Sequence, residues 1–299
     1  MLRVSWSSMS NGNTCEYRWF LNYIARVRPT RYSEALSKGS LVHKMISHHF
    51  DMQVEKTNLS ADSYVNLHKD YCNELMKELD PRAFEAFMIA SYVVTSYIRD
   101  YQPAEESHFV TVASEIEVEA KMTTPQGNEF VLNGIIDRIL QNKRTKKLLL
   151  GEFKTHSAKP WSTAAIEMDG QQPIYLAIAR EMGWPVDDIH YLFLNVYPYK
   201  DRTKYPYTKY FESQIVFDKA QVRQGFLNEI YKYVDRLIGS IEREEEPRRN
   251  IGRHCERCPF QSYCYIKLKG GSDAAALSTG YIKKELSSTP VEEEIDTDD

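Results

Sequence analysis

The chain has 299 residues, a hydrophobic content of 42% and a formal net charge of −4. This size allows one large domain or two small ones, and the composition is ordinary for a globular protein with a core. No apolar run reaches the roughly 20 residues of a membrane-spanning helix, and the first residues lack the apolar core of a secretory signal. We therefore expect a cytoplasmic protein that is not embedded in a membrane.

The negative charge is unevenly distributed along the chain. Residues 270–299 hold eight acidic residues and two lysines, so the rest of the chain is slightly basic. Basic clusters occur within residues 143–147 and 248–257. The net charge therefore does not exclude DNA as a partner. The polar, acidic tail over residues 269–299 is typical of a disordered segment.

The N-terminal region, residues 1–107, is predicted to be mostly helical. Apolar positions recur at helical spacing over Cys15–Arg26, and Asn13 or Thr14 is the candidate cap of this helix. Three further helices are expected, over residues 33–53, 60–79 and 81–101.

Strand character begins at residue 108 and defines a predicted core over residues 108–245. After a first strand, two apolar strands over residues 131–140 and 147–155 are joined by a basic turn. A helix that begins near residue 170, two more strands and a long amphipathic helix complete the core. This order predicts a mixed α/β fold in which a sheet is flanked by helices.

The two central strands carry charged residues within leucine-rich sequence. If they pair antiparallel about a turn centred between Arg144 and Thr145, Asp137 lies opposite Glu152. Opposed side chains are about 5 Å apart at Cβ, close enough for two carboxylates to share a divalent ion. Lys154 follows Glu152 by two residues and therefore shares its face. We interpret these residues as a metal-dependent hydrolytic site; a solvated strand end or a simple salt bridge is the alternative.

The cysteines indicate a second metal centre. There are five, an odd number, in a chain without a secretory signal, which argues against a disulfide framework. Cys255, Cys258 and Cys264 lie close together in the segment 246–268, and Cys15 is the candidate fourth ligand. Thiolates at this spacing indicate zinc or an iron–sulfur centre, and the spacing does not choose between them. Reduced cysteines without a metal are the alternative.

Several short motifs occur in a fixed order along residues 5–267. They are Gly39-x3-His43, Gly134-x2-Asp137, Gly151-Glu152-Phe153-Lys154-Thr155, Gln171-x3-Tyr175 and Cys255-x2-Cys258-x5-Cys264. This order resembles the PD-(D/E)XK nucleases of the RecB type, and specifically the iron–sulfur branch that includes the CRISPR-associated adaptation exonuclease and the AddB nuclease domain. The resemblance implies a restriction-endonuclease-like mixed sheet, an N-terminal helical region and a C-terminal iron–sulfur segment.

The resemblance also implies roles for His43 and for the matching residues of the central hairpin. His43, Asp137 and Glu152 would bind Mg²⁺ or Mn²⁺, with the carbonyl of Phe153 as a candidate further ligand. Lys154 would position or activate the attacking water and stabilise the charge that develops at phosphorus.

Outside the hairpin, the resemblance implies that Gln171 and Tyr175 organise the site and contact the DNA backbone. Two positions depart from the family pattern: Ile136 stands before Asp137 where the superfamily name has proline, and Glu16 follows the first cysteine where the family often has proline. A structural [4Fe–4S] cluster would be held by the four cysteines of the N- and C-terminal segments, Cys15, Cys255, Cys258 and Cys264.

These roles predict a metal-dependent DNA exonuclease that prefers single-stranded ends and acts in recombination, repair, replication or CRISPR-type and phage DNA processing. The setting would be the cytoplasm of a bacterium or of a phage-infected host cell. The alternative is a DNA-binding accessory subunit of low turnover that works beside a helicase, recombinase or integrase. A structural protein stapled by zinc is a third interpretation.

Overall fold

The computed structural model describes residues 1–30, 34–55, 59–79, 81–157, 161–196, 210–243 and 245–284. Its strands are β1 (Leu2–Val4), β2 (Val27–Pro29), β3 (Phe109–Thr123), β4 (Glu129–Asn142), β5 (Leu148–His156), β6 (Val186–Asn195), β7 (Phe211–Val216) and β8 (Tyr281–Lys283). Its α-helices are α1 (Trp6–Thr14), α2 (Glu16–Trp19), α3 (Glu34–Glu55), α4 (Ala61–Glu78), α5 (Phe84–Ser96), α6 (Gln102–Glu106), α7 (Thr163–Glu167), α8 (Gln171–Glu181), α9 (Ala220–Glu242), α10 (Gln261–Leu268) and α11 (Asp273–Leu277).

The chain divides into two compact units, each assembled from separate stretches of sequence. Of the described residues, those within 1–32, 121–132 and 229–284 form the first unit, and those within 33–120 and 133–228 form the second. This division differs from the linear one expected from the sequence, since the N-terminal helical region contributes to both units.

The sheet of the second unit has mixed strand directions. β4 and β5 are antiparallel, with Arg138 opposite Gly151 and Ile139 opposite Leu150. β6 runs parallel to β5, and β7 is antiparallel to β6. The observed register is the one that the position of the basic turn predicted. Together with the flanking helices, it confirms the predicted mixed α/β class.

Helices α3 and α5 pack on this sheet. Val42 and Met45 of α3 are fully buried, as are Phe153 of β5 and Leu192 of β6, and all four belong to one hydrophobic cluster. The helix expected over residues 81–101 is divided, because a 3₁₀ turn precedes α5 and a π-helical turn follows it. Among the described residues, no helix is both long and apolar enough to cross a bilayer.

The first unit contains two strand pairings of its own. β1 is parallel to the start of β4, and β2 is antiparallel to β8. Residues 269–284, which were expected to belong to a disordered tail, instead form α11 and β8. The prediction of disorder was wrong there, because Val27 of β2 and Ala276 of α11 are buried in the same apolar cluster. The rest of the predicted tail, residues 285–299, lies outside the described residues.

The first helix begins earlier than the sequence predicted. Ser5 and Ser8 cap each other's backbone N–H groups at the start of α1, which is the reciprocal arrangement of a capping box. Cys15 has an extended backbone with φ of −163°, so it separates α1 from α2. Cys15 therefore occupies the position before α2, where Asn13 or Thr14 was expected as the cap.

Candidate active site

The pairing of β4 and β5 brings two buried carboxylates together. When the register is continued by one residue beyond Arg138 and Gly151, Asp137 lies opposite Glu152. These side chains are only 5% and 4% exposed, and Oδ2 of Asp137 accepts a hydrogen bond from the Phe153 N–H at 3.0 Å. Burial, followed by repulsion from Glu152, raises the pKa of Asp137 well above its usual value. A pair of carboxylates in this state favours a bound cation.

Lys154 lies on the same face, as strand alternation predicted. Its Nζ is 2.9 Å from Oε1 of Glu152 and donates to Oε1 of Gln171 at 2.9 Å. Burial would lower the pKa of Lys154, but the carboxylates of Glu152 and Asp169 outweigh burial and raise the pKa above its usual value. Lys154 is therefore a cation at neutral pH, which suits it to stabilise negative charge and not to accept a proton.

His43 reaches the site from α3. Its ring centre is 4.2 Å from that of Phe153, and neither of its ring nitrogens has a hydrogen-bond partner among the described residues. Burial first, and then the nearby charge of Lys154, lowers the pKa of His43 to about 3. The imidazole is therefore neutral near pH 7, which is the protonation state that binds a metal.

Gln171 and Tyr175 both lie in α8, four residues apart and therefore on one face. Tyr175 is buried, and a Cβ atom placed on Gly134 of β4 would lie 2.2 Å from Cζ of its ring. Only glycine leaves room for the tyrosine at this position. The two ends of the Gly134-x2-Asp137 motif therefore differ in role: Gly134 leaves room for the Tyr175 ring, and Asp137 is a carboxylate of the site.

Two carboxylates of this region were not predicted as site residues. Asp169 lies 3.9 Å from Nζ of Lys154, in a loop where no sequence pattern marked it. Glu115 of β3 accepts a hydrogen bond from the hydroxyl of Ser47, and partial burial followed by repulsion from Asp51 and Glu152 raises its pKa.

Glu115, Glu117 and Glu119 alternate along β3, a pattern that predicts a solvated strand face, and all three side chains are exposed. In the structure Glu115 has a φ of 47°, the left-handed region in which residues other than glycine are strained. Alternation along β3 could not reveal this local change of direction.

The site fits a divalent cation. Among the described residues, no group of three or more His, Cys, Asp or Glu side chains is arranged to hold a metal ion as it stands. However, Oε2 of Glu152 and both nitrogens of His43 are buried without a hydrogen-bond partner among these residues. Buried polar atoms are normally satisfied, and carboxylate oxygen with imidazole nitrogen is a donor set for Mg²⁺ or Mn²⁺. A cation would supply the missing contacts and relieve the repulsion between Asp137 and Glu152.

The four predicted cluster cysteines all lie in the first unit. Hydrogen bonds tie the segment around Cys15 to the segment that leads into the other three: the N–H of Tyr17 donates to the Arg248 carbonyl at 3.1 Å, and the side-chain amide of Asn250 donates to the Thr14 carbonyl at 2.9 Å. Cysteines from opposite ends of the sequence are therefore held in the same part of this unit.

The thiols also influence one another. Burial raises the pKa of Cys258 and of Cys264, and the neighbouring thiols of Cys15 and Cys255 raise both further. The fifth cysteine, Cys72, belongs to the second unit, where its sulfur is 3.4 Å from Nε2 of His68. It is a buried residue of α4.

Comparisons with known proteins give a family match and a structural neighbour. A sequence model of the PD-(D/E)XK nuclease superfamily matches residues 3–265. Among solved structures, the chain is similar to a crystal structure of a "Putative exonuclease" from Eubacterium rectale, with 13% sequence identity and a TM-score of 0.49 over 85% of this chain and 86% of that chain. A search of curated proteins found no match.

Proposed function

Because the chain belongs to the PD-(D/E)XK nuclease superfamily, we propose that it is a metal-dependent DNA exonuclease that hydrolyses phosphodiester bonds from single-stranded ends. The observation that carries this proposal is the buried pair Asp137 and Glu152, with the cation Lys154 at 2.9 Å from Glu152. Recombination, repair, replication or phage and CRISPR-type processing of DNA would use such an activity.

Asp137, Glu152 and His43 would hold Mg²⁺ or Mn²⁺, and the carbonyl of Phe153 is a candidate further ligand. When bound, this ion would activate water as the nucleophile at neutral pH and would neutralise charge on the phosphate. Lys154 is already fixed as a cation, so it stabilises the negative charge that grows on the phosphate oxygens while water attacks and the bond to the leaving oxygen breaks.

In this proposal, Gln171 and Tyr175 organise the side chains around Lys154. The side-chain oxygen of Gln171 accepts from Nζ of Lys154, so the glutamine directs one of the three ammonium donors. The Tyr175 ring fills the space beside Gly134 of β4. Contacts of both residues with the DNA backbone are part of the proposal.

Trp161 supports a substrate with unpaired bases. Its half-buried ring lies 5.1 Å from Nζ of Lys154, and stacking of one base on an aromatic side chain contributes about 1–3 kcal/mol to binding. Trp161→Ala should therefore raise KM for single-stranded DNA about tenfold with kcat little changed. Trp184→Ala is the matched control, because Trp184 is also half-buried but follows α8, where its N–H donates to the Ala179 carbonyl. An equal change of KM in both variants would contradict base stacking at Trp161.

We further propose that the four cysteines of the first unit bind a structural [4Fe–4S] cluster, with zinc as the substitute. Two observations support this proposal. Hydrogen bonds join residues 14–17 to residues 248–250. The thiols of Cys15 and Cys255 raise the pKa values of Cys258 and Cys264. Iron, sulfide and zinc analysis of anaerobically purified protein, with its visible absorption spectrum, tests this assignment. Stoichiometric zinc without iron would replace the iron–sulfur proposal, and absence of both metals would remove it.

The exonuclease itself is tested with linear and circular single-stranded DNA of one sequence, incubated with Mn²⁺ or Mg²⁺. Degradation of the linear form alone is the expected result, and the product ladder of end-labelled DNA gives the polarity. Cleavage of circles at the same rate would contradict the requirement for an end. Binding without hydrolysis under either metal would favour the accessory subunit beside a helicase, recombinase or integrase.

A further inference from the structure

Asp169 joins three elements of the site. Its Oδ1 accepts the backbone N–H of Gln171 at 3.1 Å, at the start of α8. Its Oδ2 accepts the hydroxyl of Tyr191 in β6 at 2.9 Å and lies 3.9 Å from Nζ of Lys154 in β5. The Asp169 side chain is 4% exposed. A carboxylate so enclosed has one orientation, and in that orientation it faces the lysine.

Tyr191 is placed to hold that orientation. In the parallel pairing of β5 and β6, Tyr191 lies opposite Glu152. Its side chain is 1% exposed and its ring stacks on Phe193 with a 10° angle between planes. Since the ring is enclosed, its hydroxyl proton is directed at Asp169. A buried donor of this kind fixes the rotamer of the carboxylate that accepts from it.

We propose that Asp169 and Tyr191 are positioning residues that keep Lys154 in place during phosphodiester hydrolysis; this inference rests on the proposed nuclease function. Lysine is a point charge on a flexible side chain, so it keeps one position only where neighbouring groups hold it. In the structure, the ammonium group of Lys154 contacts the side-chain oxygens of Glu152 and Gln171.

Asp169 matters most for the position of Lys154 when a metal ion is bound at the site. With a divalent cation bound, Glu152 would attract Lys154 less strongly, because part of its negative charge would be neutralised. The carboxylate of Asp169 is tied to Tyr191 and Gln171, and it keeps its charge and its position. It is therefore the group that retains the lysine beside the reacting phosphate.

The test compares Asp169→Asn and Tyr191→Phe with a matched control. Asn keeps the volume of Asp169 and an acceptor for the Gln171 N–H but removes the charge. Loss of such a supporting contact costs about 10–100-fold in activity, and we expect this loss in kcat for Asp169→Asn, with KM for single-stranded DNA changed less than about threefold. Tyr191→Phe should lose about tenfold. Asp169→Glu, which restores the charge, should recover part of the loss.

Tyr97→Phe is the control. This variant removes another buried hydrogen bond between a tyrosine and a carboxylate. The Tyr97 hydroxyl donates to Oε2 of Glu105 at 2.6 Å, and Lys154 takes no part in that bond. Its kcat should equal that of the unmodified protein. If Tyr97→Phe loses as much kcat as Tyr191→Phe, the effect is one of stability and the positioning role is overturned.

A crystal structure of Asp169→Asn soaked with Mn²⁺ supplies a readout that needs no turnover. Nζ of Lys154 should leave its present position beside Glu152 and Gln171. A lysine that stays in place, or an unchanged kcat in an active enzyme, overturns the inference. If the unmodified protein degrades no DNA, the proposed function fails, and the position of Lys154 in the variant still decides whether Asp169 holds it.

Discussion

The carboxylate site of the second unit and the cysteines of the first unit are built on different kinds of backbone. Asp137, Glu152 and Lys154 lie in paired strands, where the register determines which side chains meet. Cys15 lies instead between two helices, and Cys255 lies in a 3₁₀ turn. Both cysteines are only half-buried.

Under the metal assignments proposed above, this difference gives two ways to prepare a metal site. A sheet places its ligands before the metal binds, at the cost of repulsion between buried carboxylates, which raises the pKa of Asp137. Thiols on short, separated segments depend on the metal itself to draw them to bonding distance, so metal binding there contributes directly to folding. We therefore expect metal loss to inactivate the second unit without unfolding it, and to destabilise the first.

The largest effect is expected from Lys154→Ala. Removing the only described cation within 4 Å of Glu152 should lower kcat by roughly a thousandfold, as loss of a preorganised charge-stabilising group does. The metal content of the cysteines should not change. Initial rates on end-labelled DNA, with metal analysis of the same preparation, check both statements.

Lys147→Ala is the control for that variant, since Lys147 is an exposed lysine just before β5 whose Nζ lies 3.5 Å from Asp187. It should keep full activity. A comparable loss of activity would mean that any positive charge on the hairpin supports activity. It would contradict a specific role for Lys154 in the carboxylate site.

Gly134→Ala tests whether the strand site depends on close packing. The new methyl group would lie 2.2 Å from Cζ of Tyr175, so the tyrosine must move and kcat should fall by about 10–100-fold, as a small displacement in an active site does. Gly225→Ala in α9 is the matched control, because a Cβ there meets no atom within 4 Å. That variant should be as active as the unmodified protein and slightly more stable, since alanine favours helix by about 1 kcal/mol.

Cys255→Ser tests the cysteine region alone. The variant should lose its bound metal, and its melting temperature should fall by about 5–10 °C because a few kcal/mol of stability disappears. Cys72→Ser changes a cysteine that contacts His68 and Ser91 in the second unit, so it should keep its full metal content. Equal metal loss from both variants would rule out the assignment of the metal to the clustered cysteines.

The smallest expected effect is a pH dependence of stability that differs between the two units. Burial first lowers the pKa of His49 to about 3, and burial lowers that of His190 to about 4. The unfolded chain binds protons below about pH 6.5, where the folded chain does not. The stability from these histidines is therefore complete above pH 6.5 and is lost as the pH falls towards 4 and 3.

For one such histidine the loss at pH 5 is about 2 kcal/mol. Urea unfolding of metal-free Asp137→Asn, followed by hydrogen exchange, should show the second unit weakening first between pH 6.5 and 5. This background removes Asp137, whose raised pKa would otherwise stabilise the same unit as the pH falls. Equal weakening of both units would contradict the role of these buried histidines.

The sequence predicted the strand site better than it predicted the surroundings. Asp137 and Glu152 could be paired because a short turn determines the register of an antiparallel hairpin, and Lys154 followed by alternation. Asp169 could not be found, because it precedes α8 in a loop without a repeating pattern. Glu115 is exposed, as its alternation with Glu117 and Glu119 indicated, but its positive φ could not be predicted from the alternating pattern.

The helical segments show the same limit. The Ser5–Ser8 capping box lies outside the apolar pattern on which the first helix was predicted, so α1 was missed. β8 was assigned to a disordered tail because its sequence is polar, yet it pairs with β2 from the other end of the chain. Pairings between distant segments leave no local periodicity to read.

The most direct test of the central claim is a Mn²⁺ titration of metal-free protein in the hydrolysis of end-labelled single-stranded DNA, beside Asp137→Asn. Asn preserves the shape of Asp137 and removes one charge of the carboxylate pair. We predict hydrolysis that rises with Mn²⁺, stops with EDTA and is absent from the variant. Hydrolysis that persists in EDTA, or that is equal in Asp137→Asn, would contradict a metal-dependent site built on Asp137 and Glu152.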